Sequence, residues 1–128
     1  MTQVAPGVSI IPTVSQGPGT LELRELSLAL RTPNGLVLLV GCSHPGIETI
    51  VEASNRVADH VYLILGGLHL VVTPDAEIDR VVTGLHDRWH VDRIAPGHCT
   101  GEPAFAAVQR VFGTQYVYAG LGSSIDVP

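Results

Sequence analysis

The chain has 128 residues, 45% of them apolar and 15% charged, with seven basic and twelve acidic side chains. That length fits one domain with a buried core, and a net charge of −5 argues against a nucleic-acid partner. All seven basic residues are Arg, so lysine Schiff-base and Walker-type chemistry are excluded, and no run of about 20 apolar residues is present to span a membrane.

A charged fraction below the usual value of roughly 25% predicts apolar surface covered by another subunit or by a missing part of the fold. The N-terminus has no basic stretch followed by a long apolar one, so no secretory signal is expected. The two cysteines, Cys42 and Cys99, each lie beside a histidine and read as reduced thiols, which places the chain in the cytoplasm.

Residues 1–20 are rich in Pro, Gly, Ser and Thr and predict an extended lead-in with one strand at Val8–Ile11. Leu26–Arg31 alternates and predicts a strand. Thr32-Pro33-Asn34-Gly35 is a turn signal, and the continuous apolar run Leu36–Val40 predicts a strand buried on both faces, so the two strands form a hairpin. Ile47, Ile50, Val51 and Val57 share helical spacing over residues 46–57. Val61–Leu65 is the next buried strand. Thr73-Pro74-Asp75 predicts a second helix capped by Thr73, with Ile78, Val81, Val82, Leu85 and Trp89 on its apolar face. Val91–Ala95 predicts a short strand. Thr100 is the expected cap of a third helix bearing Phe105, Val108, Val111 and Phe112, and Gln115–Ala119 predicts a last strand. Alternation of this kind predicts an α/β layer structure.

Three strand ends carry the chemistry. Gly41-Cys42-Ser43-His44 puts a thiol and an imidazole two residues apart in an irregular turn, where both could meet one metal ion; the alternative is a small buried cysteine and a hydrogen-bonded histidine. Gly66-Gly67-Leu68-His69 has paired glycines that allow a close approach, with His69 as a ligand, a substrate-binding group, a proton donor or a loop hydrogen-bonder. Pro96-Gly97-His98-Cys99 turns before a helix and offers His98 as a ligand, with Cys99 a ligand, a general acid or simply buried. His60, His86 and His90 read as surface or structural. No Gly-x-Ser-x-Gly elbow, Walker loop or dinucleotide fingerprint is present.

The succession of strand, Gly-Cys-Ser-His-Pro-Gly-Ile, helix, strand, Gly-Gly-Leu-His-Leu, helix, strand, Ala-Pro-Gly-His-Cys-Thr-Gly-Glu, helix resembles the metallo-β-lactamase fold superfamily. Within it the motifs are similar to the dihydropterin ribofuranosylaminobenzene-phosphate synthase-like metallohydrolase branch, over about residues 20–125. The resemblance implies an αββα sandwich with a two-metal hydrolytic site at one edge of its sheets. His98 matches the late Gly-His ligand. Cys42 stands where most members carry a bridging aspartate. His44 belongs to the Gly-Cys-Ser-His signature, and His69 to Gly-Gly-x-His.

The superfamily's His-x-His-x-Asp-His motif is absent. The expectation is therefore the C-terminal half of the sandwich over residues 21–128, a mixed sheet flanked by about three helices, beginning after that motif. Cys42, His44 and His98 are the expected metal ligands. His69 is the expected catalytic group, and Asp75 either replaces the missing water-activating carboxylate or serves as a helix-start acid. Zinc is the expected metal, with iron or manganese as alternatives, and a second metal is expected if a partner chain completes the site. The function so implied is metal-dependent hydrolysis of a phosphoester or similar small anionic substrate by a metal-activated water. It would be complete only in a homodimer or with a second chain carrying the missing half. The alternative is a non-catalytic half-domain or fragment with a structural, small-ligand-binding or metal-binding role.

Overall fold

The computed structural model describes residues 1–15 and 22–128. The expected boundary between residues 20 and 21 lies outside the described residues. Six strands form one mixed sheet in chain order: β1 (Thr2–Ala5), β2 (Val8–Ser15), β3 (Leu23–Thr32), β4 (Gly35–Leu39), β5 (Val61–Gly66) and β6 (Arg93–Pro96). The first four are joined as an antiparallel meander. The last three run parallel, linked by helices α1 (Ile47–Ser54) and α2 (Asp75–Asp87), and α3 (Glu102–Phe112) follows β6. The N-terminal segment therefore holds two strands rather than the one expected.

The hairpin between β3 and β4 closes as its sequence predicts. Thr32 pairs with Gly35, whose φ of 122° favours glycine. The Thr32 hydroxyl donates to the Gly35 carbonyl at 2.7 Å and accepts from the Asn34 amide at 3.2 Å. Leu36, Val37 and Leu38 are all buried, as a strand covered on both faces requires.

All three helices pack on one face of the sheet. Ile11, Ala29, Leu36, Leu38, Ile64 and Ile94 meet Ile50, Val82, Leu85, Val108 and Phe112 in one continuous core. On the other face, among the described residues, Val37, Leu63 and Ala95 are covered by the C-terminal tail through Val117, Ala119 and Ile125. Alternation puts Val8, Ile10, Val14, Leu26 and Leu28 on that second face, where they are half-buried or exposed; Leu26 is 66% exposed. The low charge content of the chain is concentrated here as an apolar sheet face.

Two helix starts and one strand differ from expectation. Pro74 occupies the cap position of α2, and Thr73 does not cap it. Gly101 starts α3, because the Thr100 hydroxyl accepts the Leu68 amide at 3.3 Å instead of closing its own helix. The expected strand at Gln115–Ala119 shrinks to one parallel bridge, Ile94 with Tyr116, after a 3₁₀ turn at Gly113–Gln115. Val117 donates to the Ile94 carbonyl at 2.8 Å, but the next rung would need an amide hydrogen from residue 96, and Pro96 has none. The segment therefore leaves the sheet.

Leu38 is fully buried between the central strands and the helices. Leu38→Ala is expected to lower unfolding free energy by about 2–5 kcal/mol in urea denaturation; a loss under about 1 kcal/mol would contradict this core assignment.

Candidate metal centre

The C-terminal ends of β4, β5 and β6 lie side by side, the place where parallel α/β sheets build sites. Each strand runs into one of the three motif turns, and the turns are stitched to one another through the backbone. Val40 donates to Leu65 (2.9 Å), Gly67 to Gly41 (2.8 Å) and Gly97 to Gly66 (2.6 Å). The Ser43 hydroxyl donates to the Gly67 carbonyl at 2.6 Å.

Gly66 and Gly67 make this approach possible. A Cβ on Gly66 would strike the Val40 carbonyl, and its φ of 137° favours glycine as well. A Cβ on Gly67 would run into the Cys99 sulfur and come within 2.8 Å of the Gly41 carbonyl.

The first turn wraps around a carboxylate. Ser43 has a φ of 64°, and its amide and that of His44 donate to Glu25 at 3.0 and 3.1 Å. Consecutive amides converging on an anion form a backbone nest. His44 Nδ1 bonds the same carboxylate. Glu25 lies on β3, with its side chain only 14% exposed. Its partnership fixes the His44 ring and leaves Nε2 as the free nitrogen.

The structure brings together the donor atoms of Cys42, His98 and Cys99, all within 4.8 Å of one another. Cys42 Sγ lies 3.0 Å from His98 Nε2, and the Cys99 thiol donates to the Cys42 carbonyl at 3.3 Å. Both cysteines are half-buried and His98 is exposed. Burial pushes the Cys99 thiol above its ordinary pKa; the His69 backbone amide opposes that shift and the neighbouring Cys42 side chain adds to it.

The donor set fits a zinc-type ion. Zinc bonds of about 2.3 Å to sulfur and 2.0 Å to nitrogen place tetrahedral ligands roughly 3.5–3.8 Å apart. The three atoms need to move by no more than about an ångström to reach that spacing. Two thiolates and one imidazole are soft-to-borderline ligands and leave a fourth position open.

A solved structure described as a metal-dependent hydrolase of the beta-lactamase superfamily matches 98% of this chain and 56% of its own, with a TM-score of 0.82 and 26% identity. The chain has the metallo-β-lactamase-superfamily fold. Two curated proteins of Methanocaldococcus jannaschii also match. One is 7,8-dihydropterin-6-methyl-4-(beta-D-ribofuranosyl)-aminobenzene-5'-phosphate synthase, 40% identical over 81 residues, or 60% of this chain and 26% of that protein. The other, an uncharacterised protein, is 33% identical over 93 residues, or 71% of this chain and 34% of that protein. The chain thus spans about a quarter to a third of these curated relatives and about half of the solved structure. No family profile matches it.

Of the three expected ligands, the structure brings Cys42 and His98 together, and the donor atom beside them is that of Cys99. His44 turns to Glu25. His69, with a φ of 51°, packs its ring 4.3 Å from that of His44, and both line a recess of about 340 Å³ with Thr49, Thr73, Glu77 and Arg80. Asp75 lines a separate recess with Asp79 and Arg110. His60 pairs with Asp92 and His86 with Asp87. Glu25 is the residue the sequence reading missed. Its signal was phase: it shares the inward face of β3 with buried Ser27 and Ala29.

Glu25→Ala strips the partner from two backbone amides and a ring nitrogen. It is expected to cost about 2–3 kcal/mol and to remove hydrogen-exchange protection selectively at Ser43 and His44. Unchanged protection at those amides would contradict the nest.

Proposed function

We propose that this chain supplies part of the active centre of a metal-dependent hydrolase acting on a phosphoester or similar anionic group, in the cytoplasm, with a second chain completing the site. The observation that carries this reading is the convergence of Cys42, His98 and Cys99 on one open position at the parallel strand ends. A zinc ion held by these three residues would supply Lewis acidity to a water and to the scissile group.

The remaining roles belong to the side chains. His44, fixed through Nδ1, is placed to hold an anionic oxygen with Nε2. His69 stands against it and is placed to give a proton to the leaving group. Arg80 is paired with Glu77 and Glu48, so its charge is largely committed within the chain. Among the described residues no carboxylate belongs to the donor group, and Glu25 is engaged by His44. The second chain is therefore assigned the base that takes a proton from water.

The uncovered sheet face supports a second copy of this chain as that partner. Val8, Ile10, Val14, Leu26 and Leu28 form an apolar patch on that face, with exposed Arg24 at its edge opposite Val14, and aligned sheets pack face to face about 10 Å apart.

Zinc titration by calorimetry is expected to show one ion per chain and a rise in melting temperature. Cys42→Ser, His98→Ala and Cys99→Ser are each expected to weaken zinc by at least about 100-fold, and His44→Ala by about 10-fold, as for a neighbour that orients the site. A protein that takes up no zinc, iron or manganese, with no thermal shift, would sink the hydrolase reading. On sedimentation the chain is expected to be a dimer and Leu26→Asp a monomer with its secondary structure intact; a monomeric wild type would refute self-pairing.

A further inference from the structure

Cys42 and Cys99 are the two cysteines of the chain, and both are free thiols. They stand 57 residues apart in sequence, yet their sulfurs lie within 4.8 Å of each other. Each arrives from a different strand, Cys42 in the turn after β4 and Cys99 in the turn after β6. The β5 turn lies between them, and Gly67 lets the thiols meet across it, since a Cβ there would collide with Cys99 Sγ. The Cys99 thiol donates to the Cys42 carbonyl at 3.3 Å, which holds the two residues against one another. His98 Nε2 stands 3.0 Å from Cys42 Sγ, within reach of its proton. Both cysteines are half-buried, so a molecule as small as a peroxide reaches them. A disulfide bond is about 2.05 Å long. The sulfurs therefore need to close by less than about 3 Å, which side-chain rotation supplies. Two adjacent thiols thus carry a chemistry that an imidazole or a carboxylate in the same positions would not.

We propose that Cys42 and Cys99 form an oxidisable dithiol, which a hydroperoxide converts to an intramolecular disulfide that closes the metal position. In the first step the Cys42 sulfur attacks the terminal peroxide oxygen. A sulfur–oxygen bond forms and the oxygen–oxygen bond breaks. His98 Nε2 takes the thiol proton and passes it to the departing oxygen, which leaves as water or as an alcohol. In the second step the Cys99 sulfur attacks the sulfenic acid at Cys42. A sulfur–sulfur bond forms, the sulfur–oxygen bond breaks, and the oxygen leaves as water with the Cys99 proton. The sulfur pair loses two electrons and the peroxide gains them. The disulfide withdraws two of the three donor atoms, and His98 alone does not hold zinc, so the ion leaves. A thiol reductant reverses the bond by exchange. The loss of metal rests on the hydrolase reading; the dithiol chemistry does not. In a reducing compartment such a disulfide is transient, which suits a sensor of peroxide rather than a structural staple.

The test treats the full chain with hydrogen peroxide, first without metal and then after loading with zinc. In the metal-free chain both thiols are expected to disappear together. Intact mass should fall by two hydrogen atoms, the chain should migrate alone on a non-reducing gel, and peptide mapping should join Cys42 to Cys99. Dithiothreitol should restore both thiols. Cys99→Ser is expected to stop at a Cys42 sulfenic acid that dimedone captures, with circular dichroism checking that the variant keeps its fold. In the zinc-loaded chain oxidation is expected to slow by about 10-fold or more, because the bound thiolates are shielded. One zinc should pass to a chromogenic chelator for each disulfide formed. A chain that gains oxygen atoms at either cysteine instead of closing the bond, or that links two chains through disulfides, would overturn the proposal even if it binds zinc. Zinc retained after the disulfide has formed would overturn it as well. Closure in a chain that takes up no metal would uphold the dithiol and remove the hydrolase reading on its own.

Discussion

The whole site depends on how closely three backbone turns approach one another at Gly66-Gly67. The β5 turn sits between those of β4 and β6 and is bonded to both, through Gly67 to Gly41 and Gly97 to Gly66. Neither position has room for a side chain. This pinch determines where the sulfur of Cys99 lies, because that atom occupies the space a Cβ at residue 67 would need. It also brings Cys42 and His98, 56 residues apart in sequence, to 3.0 Å. Thr100 and Ser43 reinforce it by spending their hydroxyls on the same turn.

Around this pinch the structure is asymmetric. Among the described residues, one face of the sheet is packed by α1, α2 and α3, while the other is covered only where the tail crosses Val37, Leu63 and Ala95. A sheet needs a partner layer on each apolar face. The same asymmetry exists at the site, where among the described residues no carboxylate joins the two thiols and the imidazole, and Glu25 is occupied with holding a turn. The second chain we propose would complete both the open sheet face and the open donor set.

Much of this was legible in the sequence. The parallel strands, the crossover helices and the Thr32–Gly35 hairpin follow from apolar runs, helical spacing and turn chemistry, all local signals. The three motif turns were legible for the same reason. Which of their side chains meet was not. His44 sits two residues from Cys42 and looked like its natural co-ligand, yet a left-handed Ser43 sends it to Glu25, a residue on the inward face of a strand whose predicted start at Leu26 excluded it. Thr100 looked like a cap, but tertiary structure gave its hydroxyl a better use in the Leu68 amide. The last strand failed because its extent depended on a missing hydrogen on Pro96, in a different strand. Each miss is a case of a long-range partner overriding a local preference.

The central claim is that Cys42, His98 and Cys99 form one metal-holding group. X-ray absorption at the zinc edge of the zinc-loaded chain tests it most directly. Two sulfur scatterers at about 2.3 Å and at least one imidazole nitrogen at about 2.0–2.1 Å are expected. A first shell of nitrogen and oxygen alone, or with a single sulfur, would contradict the account.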